Sequence, residues 1–260
     1  AVEASNCQPL VDTSNGKIGA FTVSGQLIAA SSTSFPLKVA LTVWTDDGTA
    51  RQYISDISVD ASATWQAFSV TVPADATGSF ANDTGSGMRV GLSLYGGSGR
   101  QATDNTWANY DGDCVTSATH NWAAATDEYI GFTNFKVEPG SVATAYIEPS
   151  YGTTLARCQR YYYTGGNGVN GGYSATTKAI FGFQFPQIMR AAPTAALLDT
   201  SIATFDTARA GLTSSSGAIT YSNIKKEGAL VEVDGFSGAT QHRPLIVYNQ
   251  DPFISFTAEL

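Results

Sequence analysis

A chain of 260 residues holds one large or two ordinary domains, each able to bury a core. Only 14% of it is charged, 43% is hydrophobic and 26 residues are Gly, which suits a β protein with many turns and not a helical bundle. The net charge of −8, with no basic cluster beyond Lys225-Lys226, argues against nucleic-acid binding, and no apolar run approaches the ~20 residues of a membrane span.

Residues 17–30 read as a long strand. Leu37, Val39, Leu41 and Val43 alternate with Lys38, Ala40 and Thr42, giving a strand with one apolar face. Asp46-Asp47-Gly48-Thr49 is a turn, so 37–45 and 51–59 form a hairpin. Phe68, Val70 and Val72 alternate until Pro73, and Met88, Val90, Leu92 and Leu94 follow the same period. Ile130 and Phe132 share one parity and Phe135 and Val137 the other, which predicts a bulge near Thr133-Asn134. Strands at this spacing predict a β-sandwich, similar in character to the jelly-roll carbohydrate-binding modules.

From Tyr95 to Glu128 the alternation vanishes into Gly, Asn, Asp, Thr and aromatic residues. A loop of this length in a compact domain is functional or disordered, and Trp107, Tyr110 and Trp122 argue against disorder. Sugar rings present apolar C–H faces ringed by hydroxyls, so a glycan site wants an aromatic platform beside amide and carboxylate groups. This loop supplies Trp107, Tyr110 and Trp122 with Asn105, Asn109, Asp111 and Asp113, which are the expected carbohydrate-binding residues. The competing reading is that the rings plug the sandwich edge or a subunit interface. Trp44 and Trp65, on or beside strands, are assigned to packing.

Pro139-Gly140 and Pro149 mark an extended linker, and Ser150 caps a short helix whose Leu155, Cys158, Tyr161 and Tyr162 form an apolar stripe stopped by Gly165-Gly166. That stripe is expected to be buried between domains or subunits. Further strands are expected around Phe181-Phe185 and at 194–198, 202–206, 217–221, 229–234 and 253–260, with alternation running to Leu260.

Catalytic constellations are missing. His120 and His242 fall in different predicted domains, and Gly166-Asn167-Gly168-Val169-Asn170-Gly171 matches a dinucleotide fingerprint by letter but precedes no helix. Asp46-Asp47 and Asp111/Asp113 are adjacent turn carboxylates, whereas glycosidases place theirs on opposite sides of a sugar. We therefore expect no enzyme activity, no catalytic residues and no cofactor. Asp104, Asp111 and Asp113 offer calcium-type ligands, but their spacing fits no strict calcium loop, so structural calcium is only an alternative. Cys7, Cys114 and Cys158 lack metal spacing and are expected to be reduced, buried thiols, with a Cys7–Cys114 disulfide as the alternative.

The stretch Val137–Tyr163, VEPGSVATAYIEPSYGTTLARCQRYYY, resembles a junction segment of phage tail-fibre, tailspike and minor tail proteins, where an acidic-Gly segment and a Cys-x-Arg-Tyr-Tyr run recur. Phe185–Thr194 and the closing Phe256–Leu260 are similar to later signatures of that family, and the likeness covers roughly residues 130–260. Thr154 and Lys136-Val137 depart from the usual pattern. The resemblance implies a virion role and a homotrimer. The expectation is thus an all-β chain: a jelly-roll sandwich at 1–140, then a smaller tail-fibre-type β domain at 141–260 that opens with a linker and short helix. Its expected function is adsorption to a host surface glycan as part of a phage tail, with other tail proteins as partners and without nucleic acid or membrane insertion. The alternatives are a structural adaptor or decoration subunit and, behind it, a polysaccharide-cleaving tailspike.

Overall fold

The computed structural model describes residues 1–206, 211–214, 217–249 and 251–259. Among the described residues the chain is all-β apart from one short α-helix and two 3-10 helices, and it divides into two compact units, residues 1–148 and 149–259. The sequence places the boundary at 140/141. The linker instead packs with the first unit up to Glu148, because its Thr144 is hydrogen-bonded to the last strand of that unit.

The strands of the first unit are β1 (Val2–Glu3), β2 (Val11–Asp12), β3 (Lys17–Ile18), β4 (Phe21–Ala30), β5 (Leu37–Thr45), β6 (Arg51–Val59), β7 (Gln66–Val72), β8 (Ser86–Ser93), β9 (Thr106–Asn109) and β10 (Tyr129–Pro139). They build a five-stranded sheet, β1-β8-β5-β6-β9, and a three-stranded sheet, β10-β4-β7, with β2 and β3 paired separately. The alternating apolar residues do what their period requires. Phe21, Val23 and Leu27 of β4 and Phe68 and Val72 of β7 meet Val39, Leu41 and Val43 of β5 in one core between the sheets. The predicted hairpin is present, with Leu37 opposite Val59 and Trp44 opposite Gln52. So is the predicted bulge: the β10–β4 register slips between Thr133 and Lys136, where Asn134 takes a φ of 54°.

One buried ion pair fastens the edge of the sandwich. Arg51 Nε lies 2.7 Å from Asp75 Oδ2, and Asp75 also accepts from the backbone N–H of Thr77 and of Gly78. Burial by itself would raise the Asp75 pKa, but the Arg51 hydrogen bond and the two backbone donors outweigh it and hold the carboxyl below its ordinary range.

The second unit contains α1 (Tyr151–Gln159), β11 (Tyr162–Gly165), β12 (Asn170–Ala175), β13 (Lys178–Gln184), β14 (Thr194–Leu197), β15 (Ala203–Asp206), β16 (Gly211–Thr213), β17 (Ile219–Ile224), β18 (Gly228–Val233), β19 (Pro244–Val247) and β20 (Ile254–Thr257). A three-stranded sheet, β11-β20-β14, and a seven-stranded sheet, β16-β15-β19-β12-β13-β18-β17, contribute to an aromatic core. Phe183 and Phe185 each lie 5.0 Å, centroid to centroid, from Phe256. Ser150 caps α1 as expected, accepting from the Thr153 N–H. The helix nevertheless ends at Gln159, and Tyr162–Gly165 forms a strand against β20. Gly165 stands there because a Cβ would strike the Phe183 ring, so its role is packing in a sheet and not stopping a helix. No residue of α1 is buried within its own unit: Leu155, Cys158 and Tyr162 are all exposed there. The final alternation yields β20, with Ile254 and Phe256 fully buried, while Leu260 lies outside the described residues.

The thiols also differ from expectation. All three cysteines are free, but Cys7 alone is buried, Cys114 is half-buried and Cys158 is exposed on α1. Burial, reinforced by the Asp47 charge, pushes the Cys7 pKa up to about 12, so it holds almost no thiolate at neutral pH. A thiol reagent at pH 8 should therefore label Cys158 first and Cys7 only after denaturation, as read by mass spectrometry against time.

Candidate functional site

The long loop between β8 and β10 is neither disordered nor an open platform. It folds over the outer face of the five-stranded sheet as a third layer. Ala40 of β5 and Ile54 of β6 meet Val115 of the loop in a small separate core, with Ala102 and Cys114 packed beside it. The chain also enters β9, which pairs with β6 from Arg51–Asn109 to Ile54–Thr106.

Within this layer each expected sugar-binding residue has a structural partner. Trp122 is 5% exposed and packs into the main core, and its Nε1 donates to the Lys38 carbonyl at 3.0 Å. A ring buried on this scale offers no stacking face, so Trp122 is removed from the site. Trp107 is half-buried at the sandwich edge, 5.5 Å from the Tyr53 ring, and its Nε1 donates to the Pro73 carbonyl at 2.7 Å. Asn105 Oδ1 accepts from Tyr53 Oη and Ser55 Oγ, and Asn109 Oδ1 accepts from Arg51 Nη1. Asp111 Oδ1 accepts from Gln52 Nε2 at 2.6 Å, and the Asp113 carbonyl accepts from Trp44 Nε1. Tyr110, 52% exposed with its ring edge-on to Trp44, is the one aromatic of the set left open.

The two loop carboxylates titrate in opposite directions. The backbone N–H of Asp113, with Gln52, holds Asp111 below its ordinary range, whereas burial and the neighbouring Asp111 charge raise Asp113. Asp104 accepts from the Asp56 N–H instead of turning toward Asp111. Among the described residues no group of three or more His, Cys, Asp or Glu side chains is placed to hold a metal ion.

The open surface lies on the opposite side, on the outer face of the three-stranded sheet. Because Phe21, Val23 and Leu27 of β4 point inward, Thr22, Ser24, Gln26 and Ile28 point outward. Register places Gln26 beside Ala67 and Thr133, and Ser24 beside Ser69 and Lys136. A cleft of about 480 Å³ opens there, lined by Ser24, Gln26, Ser69, Asn134, Thr144 and Tyr146 among others. One row beyond Gln26 on the same face, beside Gly131 opposite Ile28, stands Trp65, 49% exposed. This corrects its assignment to packing: it precedes β7 and leans over Gly131, whose missing side chain leaves the ring uncovered. A Cβ on Gly131 would lie 3.9 Å from that ring. Tyr129, two residues from Gly131 and on the same face, is 50% exposed.

The far wall of the cleft is the linker, and a charged clasp holds it. Lys136 Nζ donates to the Thr144 carbonyl and to Thr144 Oγ1, both at 2.6 Å, and pairs with Glu138 at 2.9 Å. Glu138 in turn accepts from the Thr144 N–H and hydroxyl. The Thr144 backbone donor, then Lys136 and the Thr144 hydroxyl, lower the Glu138 pKa to about 2.

The chain matches no protein-family model, and comparison with curated proteins and with solved structures finds no match. Among the described residues no helix is long and apolar enough to cross a membrane.

Trp122→Ala should lower the unfolding free energy by about 3–5 kcal/mol, as expected for a truncated core ring, while Tyr110→Ala should cost less than about 1 kcal/mol, both read by chemical denaturation. Because the folded Glu138 pKa is depressed, its stabilising contribution is complete above the ordinary range near 4.5 and fades only as pH falls toward about 2. The carboxyl should thus titrate with a midpoint near 2 by NMR, and Glu138→Gln should speed proteolysis within residues 141–148 at neutral pH.

Proposed function

We propose that the chain is a tail-fibre or tailspike-type protein of a phage virion that binds a host surface glycan for adsorption, acting at the host cell surface. The virion part of this reading rests on the resemblance of the Val137–Tyr163 junction and the Phe185–Thr194 segment. The binding part is carried by one observation: an exposed Trp65 stands on the same sheet face as an uncharged cleft, one row beyond its Gln26, and the cleft presents hydroxyl and amide groups. Such a surface suits a sugar, whose C–H face stacks on an indole while its hydroxyls exchange hydrogen bonds with Ser, Gln and Asn. In this reading the protein acts by binding and not by cleavage, and the loop carboxylates Asp111 and Asp113 serve the loop's own hydrogen bonds. Homotrimer formation and attachment to other tail proteins complete it, and three weak sites on one particle give avidity.

A second reading, a structural adaptor or decoration subunit of the virion, is favoured by the burial of Trp122 and the half-burial of Trp107.

Adsorption of the labelled protein to host cells separates the two. Trp65→Ala should lose about 1–2 kcal/mol of single-site affinity, roughly tenfold, with little change in melting temperature. Loss on Tyr110→Ala with Trp65→Ala unchanged would move the site to the loop layer, and no adsorption by the wild-type protein would favour the structural subunit.

A further inference from the structure

We infer that the cleft on the three-stranded sheet is selective for uncharged, extended oligosaccharides, and that the linker strap at Thr144–Tyr146 is one of its binding walls. This rests on the glycan-binding reading above. Charge comes first. None of the residues lining the cleft is ionisable as an acid or cation at neutral pH. Lys136, opposite Ser24 in the sheet, is already engaged by Glu138 and by the oxygens of Thr144 and Ala145. An anionic sugar, whether uronate, sialate or sulfate, needs a free cation or converging N–H donors to replace its lost hydration. The clasp leaves no such cation there, and the net charge of −8 disfavours an anion further. A neutral sugar needs only what is present: the hydroxyls of Ser24 and Ser69, the amides of Gln26 and Asn134, the Tyr146 ring in the lining and the exposed Trp65 one row beyond Gln26.

Length comes second. From Ile28, in the row of Gly131 and Trp65, to Ser24 is four residues of one strand, about 13 Å at the rise of a β-strand. The strap lies over this run, with Thr144 tied to Lys136 in the Ser24 row and Tyr146 in the cleft lining. The Trp65 row and Ser24 are thus farther apart than a single sugar ring spans, so a chain of several sugars engages both. The strap is tied by an ion pair and its hydrogen bonds, and so it is a wall that substitution at Glu138 loosens without removing a core side chain.

The test is a panel of immobilised neutral and acidic bacterial surface oligosaccharides of increasing length, probed with the whole chain and with Trp65→Ala, Tyr146→Ala and Glu138→Gln. The expected result is binding to neutral members that strengthens with length, falls about tenfold for Trp65→Ala and Tyr146→Ala, and falls several-fold for Glu138→Gln. Melting temperature and far-UV circular dichroism of each variant exclude misfolding as the cause. Binding confined to acidic members would overturn the inference while preserving the glycan-binding reading. Neutral binding indifferent to Trp65 and Tyr146 would overturn the assigned cleft. No binding to any member would overturn the glycan-binding reading itself.

Discussion

A two-sheet sandwich buries one face of each sheet and leaves the other two faces to be covered or exposed. In the first unit that constraint is resolved asymmetrically. The five-stranded sheet receives a third layer, residues 95–128, pinned by Val115 on Ala40 and Ile54 and by Trp122 in the main core. The three-stranded sheet receives only the linker across one end. The surface available to a partner on this sandwich therefore follows from which sheet is covered, and not from where aromatic residues are densest in the sequence.

The covering layer explains its own composition. An irregular segment laid on a sheet must satisfy its backbone groups without a ladder, so it is rich in Asn, Asp and Thr, whose short polar side chains reach nearby donors and acceptors. Asp56 accepts from both Thr116 and Thr119, and Asn105 from Tyr53 and Ser55. Among the described residues no buried side-chain nitrogen or oxygen lacks a partner. Each bond adds only about 1 kcal/mol net, but an orphaned partner would cost more, so the set acts as a unit. The same residue types serve a sugar site, which is why the loop reads as one before its partners are known.

Strand-forming segments were legible because a period of two survives wherever one face is buried. The 37–59 hairpin, the 66–72 strand and the slip at Thr133 follow directly. The short strands β9, β12, β16 and β19 were not, since Thr106–Asn109 and Asn170–Ala175 carry too few apolar residues to show a period. The divergence is largest at the tryptophans. A one-dimensional pattern places Trp65 beside a strand and Trp122 in a loop, and from these positions packing and exposure were inferred the wrong way round. Which ring is buried depends on the third layer and on Gly131, and neither is visible without the fold.

Trp65 leaves apolar area in water that a neighbouring side chain would cover at little cost. The position best placed to do so is Gly131, whose Cβ would lie 3.1 Å from Ile28 and 3.9 Å from the indole. A larger residue there would crowd Ile28 and lean against the ring from the sheet side. Glycine in a strand interior forfeits packing and about 0.5–1 kcal/mol of backbone entropy, so its presence opposite Ile28 is a local loss. The linker clasp works in the same direction at the cleft: Lys136 and Glu138 tie down Thr144 and hold Tyr146 as a wall without filling the floor. An uncovered ring, a missing side chain beside it and a strap held by charge are three separate departures from closed packing. They fall along one face of one sheet, on which the cleft and the exposed ring lie side by side.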